Sequence, residues 1–232
     1  MNEKILEVIN LSKKFGRKFA LNGVSFSLFK GEIIGLLGEN GSGKTTLLRI
    51  IMGILKPSKG KVMFKGEKIT EKAKLNIFYV PEKDIYYQNM KVDEMAEFLS
   101  NFYRFDFSKW RSLKKFFNLN ENLKIKQLSR GYRERLKIAL AFSCDVELYL
   151  FDEPLSGIDP VSRSKILDML LSEFVEKGQT ILISTHLVEE VESFLDRVIF
   201  LKNGEIILES YADDLREKYK GSILDVYKKF FS

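Results

Sequence analysis

GENGSGKT, residues 38–45, lies between an apolar, β-branched run at 33–37 and a run of helical character at 46–54. Strand, glycine-rich loop and helix in that order form the setting in which a backbone curls around an anion. Glycines at 38, 41 and 43 let several N–H groups point at one phosphate, and the following helix adds its positive N-terminal end. Lys44 supplies a point charge for the outer phosphates, and the Thr45 hydroxyl is of the type that ligates magnesium. The loop places the chain in the α/β class. It leaves the chemistry open, because kinases, GTPases and motor ATPases all bind phosphate this way.

Outward from the loop, apolar runs recur at 5–9, 24–29, 62–64, 77–80, 148–151, 180–183, 198–201 and 206–208 and read as strands. Helical patterns fall between several of them, which implies a mainly parallel sheet. One helix is framed by its own ends. Asp159 stands as N-cap and Pro160 in the first turn, the face Ile166, Leu167, Leu170, Leu171, Phe174 and Val175 is apolar, and Gly178 stops it. The early strands come almost without helices, so an antiparallel addition at the sheet edge is expected. From 92 to about 128 the strand signal vanishes. Val92, Met95, Ala96, Leu99, Phe102 and Tyr103 recur at helical spacing, with a second short helix over 109–117. The expectation is one domain over 1–232: an α/β core with its antiparallel part at about 1–85 and 145–232, and an inserted α-helical lobe at about 86–144.

LYLFDEP, residues 148–154, is a buried strand ending in paired carboxylates, at the sheet end where doubly wound folds bind ligands. Asp152 is placed to hold magnesium, directly or through water. Glu153 would then be base or positioner for an attacking water.

The chain of 232 residues is 45% hydrophobic, enough for a substantial core and far from the composition of disorder. No apolar run reaches the roughly 18 residues of a membrane helix, and the first residues carry no apolar signal core, so a cytosolic chain is expected. Cys144 is the only cysteine and sits among apolar residues, which predicts a buried, inert thiol. The net charge of +6 is spread along the chain, and no nucleic-acid partner is expected from it.

Further motifs stand in order: Phe15 in KKFG, Glu82 in YVPE, LSRGYRERL at 128–136, LSGID at 155–159, and His186, the only histidine, closing TILISTH. Together with the loop and the paired carboxylates they resemble, nearly from end to end, the nucleotide-binding subunit of an ATP-binding cassette transporter. The resemblance implies a P-loop NTPase core with an antiparallel β subdomain and a helical subdomain, and ATP and Mg2+ as ligands. Carried over position by position, Gly38, Glu39, Asn40, Gly41, Ser42, Gly43, Lys44, Thr45 and Thr46 would hold the phosphates, and Phe15 would stack on adenine. Thr45, Asp152 and Glu82 would face the metal. Glu82 stands where the family commonly has Gln; a carboxylate can ligate magnesium too, and brings extra negative charge toward the γ-phosphate. Glu153, His186 and Lys44 would carry hydrolysis.

The family's working unit sandwiches ATP between two subunits, so Ser129 and Gly131 would act in trans and Asp159 at the subunit interface, besides its capping role. LSRGYRERL has Arg130 and Tyr132 where the family usually has Gly and Gln; Ser129 and Gly131 keep the hydroxyl and the close approach that a phosphate needs. With no membrane segment of its own, the chain would need a transmembrane permease and a second cassette, identical or not. It would then sit on the inner face of the membrane. Tyr86, Tyr87 and their aromatic neighbours are expected to rim the groove where that permease docks. YVPE with a loose signature resembles the drug, lipid and polysaccharide exporter branch. A soluble cassette without transport and a binding-only cassette are the alternatives.

Overall fold

The computed structural model describes residues 3–83 and 86–231, with the backbone alone over 170–177. The side chains of Leu170, Leu171, Phe174 and Val175, expected on the apolar face of their helix, lie outside the described residues.

β1 (Lys4–Phe15) and β2 (Lys18–Phe29) pair antiparallel, and β3 (Ile33–Leu37) runs into the glycine loop and α1 (Lys44–Ile51). α1 is shorter than its pattern promised because Gly53 turns the chain at φ 71°. β4 (Lys59–Phe64), β5 (Glu67–Lys68) and the short α2 (Glu71–Lys74) lead to β6 (Ile77–Val80). α3 (Val92–Ser100), α4 (Phe107–Phe116) and α5 (Arg130–Ser143) follow without an intervening strand. β7 (Leu148–Asp152), α6 (Pro160–Lys177), β8 (Thr180–Thr185) and α7 (Val188–Val191) come next, then β9 (Arg197–Lys202), β10 (Glu205–Tyr211), α8 (Ala212–Tyr219) and α9 (Ile223–Phe231).

The strands form two sheets. A four-stranded sheet runs β2-β1-β4-β5, and a six-stranded sheet runs β10-β9-β3-β8-β7-β6, parallel except for β10. The early strands thus make a sheet of their own rather than extending the edge of the large one. Successive residues of a strand face opposite sides, and the large sheet sorts its residues that way. Ile77, Leu148, Leu150 and Leu182 pack under α1 and the small sheet, while Phe78, Val80, Tyr149, Phe151 and Ile183 face the helices of the other layer.

Helix ends follow their sequence signals. Asp159 Oδ1 accepts from Ser162 N at 2.9 Å, Pro160 occupies the first turn, and Gly178 ends α6 at φ 60°. Ser129 Oγ accepts from Tyr132 N at 3.4 Å and opens α5. Such a cap contributes about 1 kcal/mol. α9 opens on a reciprocal cap, in which Ser222 N donates to Asp225 Oδ2 at 3.0 Å and Asp225 N to Ser222 Oγ at 3.1 Å, and it packs its aromatic face on β9. Phe200 on β9 meets Tyr227, Phe230 and Phe231, and Lys202 Nζ donates to Phe230 O at 2.8 Å.

Candidate nucleotide site

The loop's glycines are steric necessities at two positions. A Cβ on Gly38 would stand 2.3 Å from Leu201 O, and one on Gly43, at φ 112°, would stand 2.5 Å from Ala20 O. The loop is pressed against the β9–β10 turn, where Gly204 N donates to Ser42 O at 2.9 Å. Lys44 is buried, and its Nζ donates to Gly38 O at 2.7 Å and Glu39 O at 3.1 Å. The same ammonium lies 3.2 Å from Glu153 Oε1, though without hydrogen-bond geometry.

β7 delivers its carboxylates to the mouth of this loop. Thr45 Oγ1 donates to Asp152 Oδ1 at 3.0 Å, so two of the three side chains expected at the metal touch. Glu153 leaves the strand with φ 50°, the left-handed region that side chains avoid unless the surroundings enforce it. Its N–H donates to Ser184 O at 2.9 Å, and its Oε2 lies 2.9 Å from His186 Nδ1. A cleft of ≈ 510 Å³ opens here, lined by Ala20, Asn40, Gly41, Gly43, Lys44, Thr45, Thr46, Glu82, Glu153, Ser156 and His186.

The remaining expected residues are more dispersed. Glu82 is exposed at the cleft, while its backbone carbonyl accepts from Lys137 Nζ at 3.2 Å. Phe15 is 53% exposed at the end of β1, a surface ring with Lys13 Nζ 5.2 Å from its centroid rather than a core residue. Phe15, Ser129, Gly131 and Asp159 are absent from the cleft lining of this chain. Gly131 and Asp159 neighbour each other instead: a Cβ at 131 would meet Asp159 Oδ2 at 3.6 Å. Arg130 opens α5 in ordinary helical conformation, so its position does not demand glycine. Its guanidinium donates to Ser156 O at 3.2 Å, over Gly157. Tyr87 and Phe102 are exposed, and Phe98 bridges them with ring centroids 5.2 and 5.1 Å away.

Sequence reasoning passed over three groups around the site. Tyr79 OH donates to Asp152 Oδ2 at 2.9 Å and Ser184 Oγ to Oδ1 at 2.8 Å. Burial first, then the Asp152 charge, pushes the Tyr79 hydroxyl far above the ordinary phenol range, so it stays a donor. Tyr227 on α9 is pushed up to about 12 by burial, then by the charges of Glu39 and Glu153.

Nucleotide and metal fit what is present. Ser42 Oγ and Glu153 Oε1 are buried without hydrogen-bond partners, and Lys44 is charged at the loop's centre. Among the described residues no three His, Cys, Asp or Glu side chains gather as a metal cage. One hydroxyl and one carboxylate are the donor set of a hard cation that completes its shell with phosphate oxygens and water. Fold and site together define a P-loop module that binds a nucleoside triphosphate.

Comparison with known proteins narrows the class. The family model described as "ABC transporter" matches residues 21–156. The chain is 35% identical over 218 residues to the ABC transporter ATP-binding protein YtrB of Bacillus subtilis (strain 168), covering 93% of this chain and 75% of that protein. It is 31% identical over 237 residues to the Nod factor export ATP-binding protein I of Rhizobium sp. (strain N33), covering 98% and 78%. The dimeric ATP-binding cassette MJ0796 bound to ADP and Pi superimposes with a TM-score of 0.80 at 27% identity, over 89% of this chain and 98% of that one. The chain belongs to the ABC transporter family. It is an ATP-binding cassette of the ATP-hydrolysing kind.

Proposed function

We propose that this cassette powers an exporter: closed around ATP with a second cassette, it drives a separate transmembrane permease from the inner face of the membrane. The observation that carries this is the placement of Glu153, held between Lys44 Nζ at 3.2 Å and His186 Nδ1 at 2.9 Å at the mouth of the phosphate loop. In this reading Lys44 exchanges Glu153 for phosphate oxygens, which frees the carboxylate to orient and deprotonate the attacking water. His186 fixes Glu153 through Nδ1, and its Nε2, when the ring is protonated, would donate to the γ-phosphate. Thr45 and Asp152, with Glu82 alongside, would hold Mg2+, which supplies charge neutralisation at the phosphates. Phe15 would stack on adenine.

Ser129 and Gly131 would complete the site of the opposite cassette, with Asp159 beside them at the interface. Their absence from the cleft of their own chain supports that assignment. Residues 86–144 would act as one helical lobe on the core, and the exposed Tyr87 and Phe102, bridged by the half-buried Phe98, would receive the permease. The export direction draws support from similarity to a relative named for export.

The test is the ATPase rate of wild type and Glu153→Gln in the presence of the permease. A general base contributes about 10²- to 10⁴-fold, so the variant should lose at least ~10²-fold. Equal rates would overturn the assignment.

A further inference from the structure

Asp152 receives hydroxyl groups beyond the one from Thr45, and strand parity explains how. Tyr79 on β6 is paired with Leu150 on β7, and Asp152 is paired with Ser184 on β8. Tyr79, Leu150, Asp152 and Ser184 therefore share the face of the sheet covered by α1, which carries Thr45. Asp152 and Ser184 are buried, and Tyr79 is 9% exposed. Each carboxylate oxygen is thereby assigned. Oδ2 accepts from Tyr79 at 2.9 Å, and Oδ1 accepts from Ser184 at 2.8 Å and Thr45 at 3.0 Å.

An aspartate carboxylate turns easily about its last torsion, which has a broad two-fold profile. A donor on each oxygen selects one orientation. The phenol occupies Oδ2 and so leaves Oδ1, the oxygen shared with Thr45, turned toward the loop. We propose that Tyr79, supported by Ser184, is a positioning residue that sets the metal affinity of the site by fixing the Asp152 carboxylate, without touching metal or nucleotide. Deleting the phenol hydroxyl would leave Oδ2 buried without a donor and let the carboxylate turn, so that Oδ1 no longer keeps its direction toward the loop. The proposal rests on Asp152 being the metal-facing carboxylate.

The experiment measures, on the purified chain, the Mg2+ concentration that half-saturates binding of a fluorescent ATP analogue, the affinity for that analogue in EDTA, and the melting temperature. Groups that hold a metal ligand typically change metal affinity by 10- to 100-fold when removed. Tyr79→Phe should raise the half-saturating Mg2+ by roughly 10-fold while affinity in EDTA stays at the wild-type value. Ser184→Ala should shift it in the same direction and serves as the second variant should Tyr79→Phe fold poorly. Asp152→Asn distinguishes the two levels of inference. If it shifts the metal titration and both Tyr79→Phe and Ser184→Ala leave it alone, the positioning role is overturned. If Asp152→Asn has no effect either, the metal assignment itself fails. A merely structural tyrosine would lower the melting temperature and the affinity in EDTA together with the metal titration unmoved, which also overturns the proposal.

Discussion

Glu153 combines burial, a left-handed backbone and two close nitrogen neighbours, Lys44 Nζ and His186 Nδ1. Residues held in that backbone region cost about 1–3 kcal/mol. The hydrogen bonds from Glu153 N to Ser184 O and from Ser156 N to Glu153 O hold it there. Cys144 is the contrasting case. Its Sγ donates to Leu140 O at 3.3 Å, and burial pushes the thiol far above its usual range. A raised pKa means a scarcer thiolate at any given pH below it, and the thiolate is the reactive form. Alkylation by iodoacetamide at pH 8 should therefore be more than ~10-fold slower in the native chain than in urea-unfolded chain. Mass spectrometry of the modified fraction over time checks this, and equal rates would contradict the inert thiol. Among single residues, the gathering of Lys44, Asp152, Glu153 and His186 was legible in the sequence, because they stand at strand ends or in a glycine loop. Tyr79 and Ser184 were not, because a fully apolar strand such as 77–80 does not reveal which face looks toward the metal site. Only the pairing register supplies that.

Among the elements, α5 does more than present Ser129. Lys137 is fully buried within it, pairs with Glu134 at 2.7 Å, and donates to Pro81 O at 3.0 Å and Glu82 O at 3.2 Å. The helix that begins at the variant signature thus grips the backbone of the YVPE segment. Removing one partner of a buried ion pair typically costs about 3–5 kcal/mol, whereas replacing both by apolar groups is often close to neutral. Lys137→Met should lower unfolding stability by about 3 kcal/mol or more, and adding Glu134→Leu should recover part of the loss. Urea unfolding monitored by circular dichroism measures both; a single variant as stable as wild type would remove this latch from consideration. Helix ends were the most legible part of the fold, since Ser129, Asp159 and Gly178 act locally. Nothing in the local pattern of α5 marks Lys137 as buried, because its burial arises from contact with Pro81 and Glu82, far earlier in the chain.

The whole molecule has two cores, one on each side of the six-stranded sheet. Among the described residues no helix is long and apolar enough to cross a membrane. The phosphate loop opens on one surface; the start of α5 lies outside its cleft, and of the LSGID turn only Ser156 lines it. An ATP-closed pair of cassettes follows if those elements serve the opposite site. Glu153→Gln with ATP and Mg2+ should run as a dimer in light scattering and as a monomer with ADP. Gly131→Asp, which adds a carboxylate beside Asp159, should abolish the dimer and leave nucleotide binding to the monomer intact. A dimer unaffected by Gly131→Asp would move the interface elsewhere. The alternation of strands and helices made the parallel sheet readable. The docking of α9 was not, since it depends on tertiary partners such as Phe200 rather than on local pattern.

The last helix has a consequence beyond packing. Phe200, on which Tyr227 rests, is the strand partner of Leu37, the residue just before the phosphate loop. The Tyr227 hydroxyl already feels Glu39 and Glu153. The last helix thus seats its aromatic rings on the strand that flanks the phosphate loop, and joins the far end of the sequence to a loop near its beginning.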